Sequence, residues 1–155
     1  MLKTLPVSCF YSSPYRRSVD TIAESAAWFG MAIQTDERFR ERQSGRGGNN
    51  AEMFRKRWND FSVCEENGES LGSVQRRNME ALSEILRHCS GQHIVIGTHG
   101  TALSTILNYY DNTFLCDGFL RIIDFMPYII RLDFDETKLL VKEEVLVVEK
   151  EYNGS

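Results

Sequence analysis

The sequence of 155 residues lacks the features that mark membrane, secreted and metal-binding proteins. No apolar run approaches the roughly 20 residues that span a bilayer, and the N-terminus lacks the charged and then apolar layout of a signal peptide. The four cysteines are scattered without a Cys-x-x-Cys pair, which disfavours a disulfide framework and a zinc site. These absences predict a cytoplasmic protein with reduced thiols, no membrane association and no bound metal.

Length and composition predict one globular domain over residues 1–150, followed by a disordered tail over residues 151–155. A chain of this length buries about 70% of its unfolded surface, and a hydrophobic content of 42% is ordinary for a globular protein. The formal net charge of −4 disfavours general nucleic-acid binding by the whole chain.

The most informative stretch is residues 93–101, where a run of β-branched residues ends in His99, Gly100 and Thr101. The residues that follow have the spacing of a helix. A strand that enters a helix through a small-residue turn is where α/β proteins bind ligands. Because the first amides of such a helix are unpaired and carry the positive end of its dipole, the stretch predicts a phosphate pocket built on His99.

Hydrophobic periodicity predicts strands that alternate with helices and end in a strand pair. The predicted strands cover residues 5–11, 31–35, 93–98, 128–134 and 139–148, and the predicted helices cover residues 14–29, 51–61, 70–89 and 102–110. Residues 111–124 are predicted to be irregular. This order predicts an α/β fold, a three-layer sandwich with a mixed, mostly parallel sheet and helices on both faces.

Two arginines near the N-terminus suggest an anion site. Arg16 and Arg17 lie in the first turn of the first predicted helix, which Ser13 is expected to cap, and their charge opposes the helix dipole. A bound anion would compensate that conflict. The alternative is two solvated surface arginines.

A second basic region lies between Arg38 and Arg57, and most of it is predicted to be a polar loop or lid without a core. It could attract a phosphorylated substrate or a nucleic acid, and the alternative is a solvated surface. Its aromatic residues have core spacing, which disfavours nucleic-acid binding. On the long helix that follows, Arg76 and Arg77 are predicted to face water.

Several short motifs, in fixed order, resemble those of the histidine phosphatase (phosphoglycerate mutase-like) superfamily. They are Ser12-Ser13-Pro14-Tyr15-Arg16-Arg17 with Thr21, Glu41 in Arg-Glu-Arg, Gly68-Glu69-Ser70, Thr98-His99-Gly100 and Met126-Pro127. The resemblance implies hydrolysis of a phosphomonoester, or phosphoryl transfer, through a phosphohistidine. It also implies a phosphorylated small-molecule substrate and no cofactor or metal.

The resemblance implies a role for individual residues. Arg17 matches the arginine that clamps the phosphoryl group, and its planar guanidinium suits phosphate oxygens. His99 matches the second histidine of the pocket, which stabilises charge in the transition state. Glu41 matches the acid that protonates the leaving oxygen. The amides of Gly100 and Thr101 would complete the anion site, and the Glu69-Ser70 pair is expected to be structural.

The sequence departs from the family in one large respect, because it contains no Arg-His-Gly motif, whose histidine is the nucleophile. The remaining histidines, His88 and His93, are predicted at the end of a helix and the start of a strand, away from the nucleophile's place. Loss of a nucleophile costs on the order of 10⁶-fold in turnover elsewhere. We therefore expect this chain alone, a truncated remnant or an internal part of a longer product, to be inactive. The alternative is a non-catalytic phosphate-binding or interaction module.

The missing motif also has a structural consequence, because in the family its strand is the first central strand of the sheet. It lies between the strand that carries His93–Thr98 and the strand near Tyr128–Phe134. Its absence leaves two open strand edges with unpaired amides. We expect the chain to pair these two strands directly, or to fill the gap with a partner chain such as a second copy in a homodimer.

Overall fold

The computed structural model describes residues 2–151, which form five helices and five strands. In chain order these are β1 (Val7–Ser12), α1 (Arg16–Trp28), β2 (Ile33–Thr35), α2 (Ala51–Asn59), α3 (Leu71–His88), β3 (His93–Gly97), α4 (Gly100–Tyr110), α5 (Cys116–Ile122), β4 (Phe125–Asp135) and β5 (Lys138–Glu149). Short 3-10 turns cover Leu2–Thr4 and Glu37–Phe39. The predicted tail lies outside the described residues except for Glu151.

Three parallel strands in the order β2-β1-β3 form the middle layer of the molecule. Because side chains alternate between the faces of a strand, β1 sends Phe10 toward α1, where it packs with Ile22 and Ala26. The opposite face, with Tyr11 and Ile96, packs against a cluster that includes Ile85 of α3. The predicted three-layer α/β arrangement with helices on both faces is therefore confirmed.

Residues 111–124, which were predicted to be irregular, contain α5. Cys116, Phe119 and Ile122 recur at helical spacing and are all buried. Phe119 packs against Trp58 of α2, with ring centroids 5.7 Å apart. The N-cap residue, Leu115, makes no side-chain hydrogen bond that caps the helix, so the sequence lacks the capping residue that usually marks a helix start and has only Asp117 in the first turn as a signal.

Strands β4 and β5 form a separate antiparallel hairpin, so the predicted mixed sheet is present as two sheets. Within residues 2–151, β3 pairs with β1 and β4 pairs with β5, and β3 does not pair directly with β4. Ile96 of β3 and Phe134 of β4 nevertheless pack against the same hydrophobic cluster, which contains Met79, Leu82 and Ile106. Filling of the space between the two sheets by a second copy remains a prediction.

No helix within residues 2–151 is both long and apolar enough to cross a membrane.

Candidate active site

The candidate site lies at the carboxyl ends of β1 and β3. These parallel strands are in register, with Ser12 opposite Gly97, so the residues that follow each strand lie side by side. The Ser13 N–H donates to the Gly97 carbonyl over 2.9 Å. A Cβ atom on Gly97 would lie 2.9 Å from the hydroxyl oxygens of both Ser12 and Ser18, closer than packing tolerates. Glycine at this position therefore lets α1 approach the end of β3.

His99 is the N-cap residue of α4 and is 8% exposed. Its Nε2 atom lies 2.8 Å from the Ser13 hydroxyl, and its ring meets the Tyr15 ring edge-on at a centroid distance of 5.2 Å. Burial, together with the positive charges of Arg17 and Arg77, lowers the pKa of His99 to about 4. The imidazole is therefore neutral near neutral pH and has one N–H to donate.

Ser13 does not cap α1 as predicted. The helix starts at Arg16, Tyr15 occupies the N-cap position, and no side chain caps it. The Ser13 hydroxyl instead accepts from the Tyr15 N–H over 3.2 Å and contacts His99. The serine therefore joins the first helix to the histidine.

The two arginines of the first turn differ in their surroundings. Arg16 lies 3.4 Å from Asp20 in an exposed ion pair, as expected of a solvated surface residue. Arg17 has no carboxylate within ion-pair distance in the described part of the chain, and its guanidinium carbon lies 5.1 Å from the Tyr15 ring centroid. Tyr15 therefore touches both Arg17 and His99, and it brings the guanidinium to the histidine side of the helix.

Glu41 lies at the N-terminus of α4. Its carboxylate accepts from the amides of Thr101 and Ala102, each over 3.2 Å, and from the Arg42 amide over 2.9 Å. The positive end of the α4 dipole thus holds a carboxylate of the protein itself. The Thr101 amide, which was predicted to bind phosphate, donates to Glu41, whereas Gly100 is the first helical residue and its N–H has no acceptor within the helix.

Arg77 fixes the backbone that carries Glu41, so the prediction that it faces water was wrong. Its five N–H groups all have acceptors: the Glu69 carboxylate takes two, and the carbonyls of Arg38, Arg40 and Glu41 take the other three. The carboxylate bonds are 2.8 and 3.0 Å long. A signal was available in the sequence, because Arg77 lies three residues after Val74 and four before Ala81, both of them buried.

Glu69 has the structural role that the sequence predicted. Burial acts to raise its pKa, but hydrogen bonds from Arg77 and Arg40 outweigh this effect and hold the pKa at about 2. The next residue, Ser70, caps α3 by accepting from the Ser73 amide over 3.2 Å. The pair therefore anchors the start of α3 and the segment that leads to Glu41.

The loop after β2 is not a lid without a core. Phe39 is fully buried, and Arg42 forms a buried ion pair with Glu65 over 2.8 Å. The same carboxylate meets Arg57 of α2 over 3.1 Å, and all three charged side chains are 3–5% exposed. Arg42 and Arg57 are thus buried rather than part of a solvated basic surface. Arg42 lies in a segment without periodic spacing, whereas Arg57 lies three residues after Phe54 and four before Phe61, which are both partly buried.

The other histidines lie away from this site. His88 is exposed at the end of α3, where its Nδ1 atom lies 2.8 Å from the Glu84 carbonyl oxygen. His93 is exposed at the amino end of β3, at the opposite end of that strand from His99. The sequence has three histidines in total, so only His99 belongs to the candidate site. In the described part, no group of three or more His, Cys, Asp or Glu side chains is placed to hold a metal ion.

Replacement of Arg77 tests the role of its network. We expect Arg77→Met to lower the free energy of unfolding by about 3–5 kcal/mol, because it leaves the Glu69 carboxylate buried without its main partner. Arg76→Met, which alters the exposed neighbour on the same helix, should change it by less than about 0.5 kcal/mol. Urea unfolding followed by circular dichroism measures both, and equal stability of the two variants would contradict this role.

His99 should make the stability of the fold depend on pH. The unfolded histidine titrates near its ordinary pKa of 6.5, whereas the folded pKa is about 4, so the unfolded state binds more protons between these values. The contribution is complete above pH 6.5 and is lost as the pH falls toward 4, by about 3 kcal/mol. Urea unfolding at several pH values should show this loss in the parent protein and in His93→Gln but not in His99→Gln. A pH profile unchanged by His99→Gln would count against the buried neutral imidazole.

Comparisons with known proteins identify the family and the fold. The model of the histidine phosphatase superfamily (branch 1) matches residues 1–142. Among solved structures, Bacillus stearothermophilus YhfR is similar with a TM-score of 0.67 and 23% identity over 90% of this chain and 74% of that one. The mycobacterial glucosyl-3-phosphoglycerate phosphatase Rv2419c in complex with inorganic phosphate has a TM-score of 0.58 and 20% identity. That match covers 70% of this chain, which spans only 61% of the mycobacterial enzyme.

No curated protein sequence matches the chain. The likeness to the solved structures concerns the fold, whereas the family model covers more than nine tenths of the residues. This chain belongs to the histidine phosphatase superfamily, branch 1.

Proposed function

We propose that the candidate site binds the phosphoryl group of a small-molecule phosphomonoester. The family reaction to which it belongs is hydrolysis, or phosphoryl transfer, through a phosphohistidine. The observation that supports this most directly is the convergence of His99, Arg17 and Glu41 around the carboxyl ends of β1 and β3. We also infer a reducing, cytoplasmic location, which the four free cysteines support.

Each of the three residues has a distinct part in this proposal. Arg17 presents a planar guanidinium that has no carboxylate within ion-pair distance among residues 2–151, which suits two phosphate oxygens. The neutral His99 donates its N–H to a phosphoryl oxygen, and Gly100 offers the first free amide of α4. Glu41 borders the same helix end and is assigned the proton transfer to the leaving oxygen.

For the chain by itself we propose binding without turnover. Phosphoryl transfer in this family needs a nucleophilic histidine in addition to His99, and His88 and His93 are both remote from the site. The chain would then act as a phosphate-binding module, or as the supporting half of a site whose nucleophile comes from elsewhere.

Titration with inorganic phosphate and with vanadate tests the binding site. We expect saturable binding that Arg17→Ala and His99→Ala each weaken about tenfold or more, since each removes a hydrogen bond to a charged group. Arg16→Ala is the matched control, because Arg16 lies one residue away in a separate ion pair. Isothermal titration calorimetry gives the affinities, and equal effects of the two arginine substitutions would contradict the assignment.

The same samples decide between binding and turnover. The purified chain should release no more phosphate from 4-nitrophenyl phosphate than His99→Ala does. Robust turnover without added metal would show that a nucleophile other than the family histidine operates in this chain.

We further propose that two copies associate through the open strand edges. The hairpin of β4 and β5 has no buried residue, and its exposed apolar side chains include Met126, Leu140, Val141, Val145 and Val148. The free edges of β3 and β4 belong to two sheets that both contact one hydrophobic cluster. A strand from a second copy would satisfy both edges and cover part of this apolar surface.

Light scattering coupled to size exclusion measures this association. We expect a dimer whose fraction rises with concentration and falls in Leu140→Lys, which places a charge at a side chain that is 58% exposed. Trp28→Lys, at a similarly exposed position on α1 (63%), is the control. A monomer at every concentration would contradict the proposal.

A further inference from the structure

A cavity of about 240 Å³ opens beside the candidate site. Glu41 and Thr101, which meet at the N-terminus of α4, form one side of it. A phosphoryl group on His99 and Arg17 would therefore have the rest of its molecule directed toward this space. An apolar cavity of about 150 Å³ is enough to hold benzene, so a six-membered ring fits here.

The floor of the cavity is apolar and rigid. Phe54, Trp58, Leu71 and Phe119 line it, and Trp58 and Phe119 are only 4–5% exposed. The Trp58 and Phe119 rings are stacked, and the Phe54 ring meets Phe119 edge-on at 5.5 Å. These contacts hold the walls in place before any ligand binds, so little ordering entropy is lost on binding.

Arg57 supplies the polar end of the cavity. The residue is 2% exposed and lines the cavity, and its hydrogen bonds, to the Gly48 carbonyl and to Glu65, all pass through Nη1. Its Nε and Nη2 atoms have no hydrogen-bond partner in the described chain. In the described residues, the buried side-chain atoms that have neither a hydrogen-bond partner nor solvent contact belong to other residues. The Nε and Nη2 atoms of Arg57 therefore keep some solvent contact, which the cavity lined by Arg57 can supply.

The charges around this arginine are unbalanced. Glu65 is shared between Arg57 and Arg42, so two guanidinium groups face one carboxylate. Burial and the neighbouring Arg42 lower the pKa of Arg57. An anionic group on the ligand would relieve this repulsion and use the free N–H groups, as a buried charge requires.

We propose that this cavity binds the alcohol part of the substrate and that this alcohol is aromatic and carries a carboxylate. The ring lies on Trp58, Phe54 and Phe119, and the carboxylate accepts from Arg57. The cavity also has polar lining residues, among them Ser44 and Asn49. Leu71 and the three aromatic rings, however, offer no hydrogen-bond partner to the hydroxyl groups of a sugar or glycerol, so on this floor an aromatic ring is preferred. This inference rests on the proposed phosphate site, and it adds the substrate class.

Trp58 reports directly on occupancy of the cavity. The sequence has two tryptophans, and the other, Trp28, is 63% exposed on α1, so Trp28→Phe leaves Trp58 as the sole fluorophore. In that background we would titrate 4-carboxyphenyl phosphate, phenyl phosphate and glycerol 1-phosphate. We expect the affinity to fall about tenfold from the first ester to the second, because the hydrogen-bonded carboxylate is lost. It should fall about tenfold again from the second to the third, because the ring is lost.

Arg57→Lys separates the two contributions. Lysine keeps the charge beside Glu65 but lacks the planar guanidinium. The advantage of 4-carboxyphenyl phosphate over phenyl phosphate should fall to within about twofold, whereas the advantage of phenyl phosphate over glycerol 1-phosphate should persist. Arg55→Lys, at an exposed position on the same helix, should change neither. Equal affinities for all three esters in the parent protein would overturn the proposal, whether or not Arg57→Lys folds.

Inorganic phosphate and 4-hydroxybenzoate each represent one half of the proposed ligand. Separate titrations with these two half-ligands distinguish failure of this inference from failure of the proposed function. Binding of inorganic phosphate with no preference for the aromatic esters overturns the inference and leaves the function standing. Saturable quenching of Trp58 by 4-hydroxybenzoate without phosphate binding supports the cavity ligand and overturns the function. No response to either half-ligand overturns both.

Discussion

The ion pair between Glu69 and Arg77 is the interaction on which the candidate site depends. Arg77 donates the N–H groups that Glu69 leaves free to three backbone carbonyls, those of Arg38, Arg40 and Glu41. Glu41 in turn accepts from the Thr101 and Ala102 amides and so fixes the first turn of α4, the helix whose N-cap residue is His99. The Glu69–Arg77 pair thereby positions His99 indirectly. It acts through the backbone that carries Glu41, and not through a side-chain contact with the histidine.

A buried charge is costly unless every partner is present, and the structure meets that condition in the same way twice. Glu69 receives Arg77, Arg40 and the amide of Gln43, and Glu65 receives Arg42, Arg57 and the amide of Gly45. Both carboxyls have a pKa of about 2. A polar, glycine-rich segment thus acquires a fixed shape with only Phe39 as its fully buried apolar anchor.

The sequence predicted those features that depend on local pattern. The strand that ends at His99, the helix after it and the three-layer arrangement follow from periodicity within short windows. Arg42 and Arg57 escaped prediction because their burial depends on Glu65, which lies 23 residues from the first and 8 from the second. Ser13 was assigned to the nearer helix because a cap is a local interaction, whereas its contact with His99 spans 86 positions.

The position of Glu41 changes the physical basis of phosphate binding. The sequence predicted that the N-terminus of α4 binds an anion. The anion at that position is the Glu41 carboxylate of the protein itself. At the proposed site, phosphate would therefore be held mainly by Arg17, which is exposed. Opposite charges near water interact by only about 1–4 kcal/mol at ~4 Å. Because this interaction with the phosphoryl group would be weak and sensitive to salt, discrimination between substrates would depend on the part of the ligand that is desolvated on binding. In the proposed complex that part lies in the aromatic cavity, where an anion on Arg57 would be screened least.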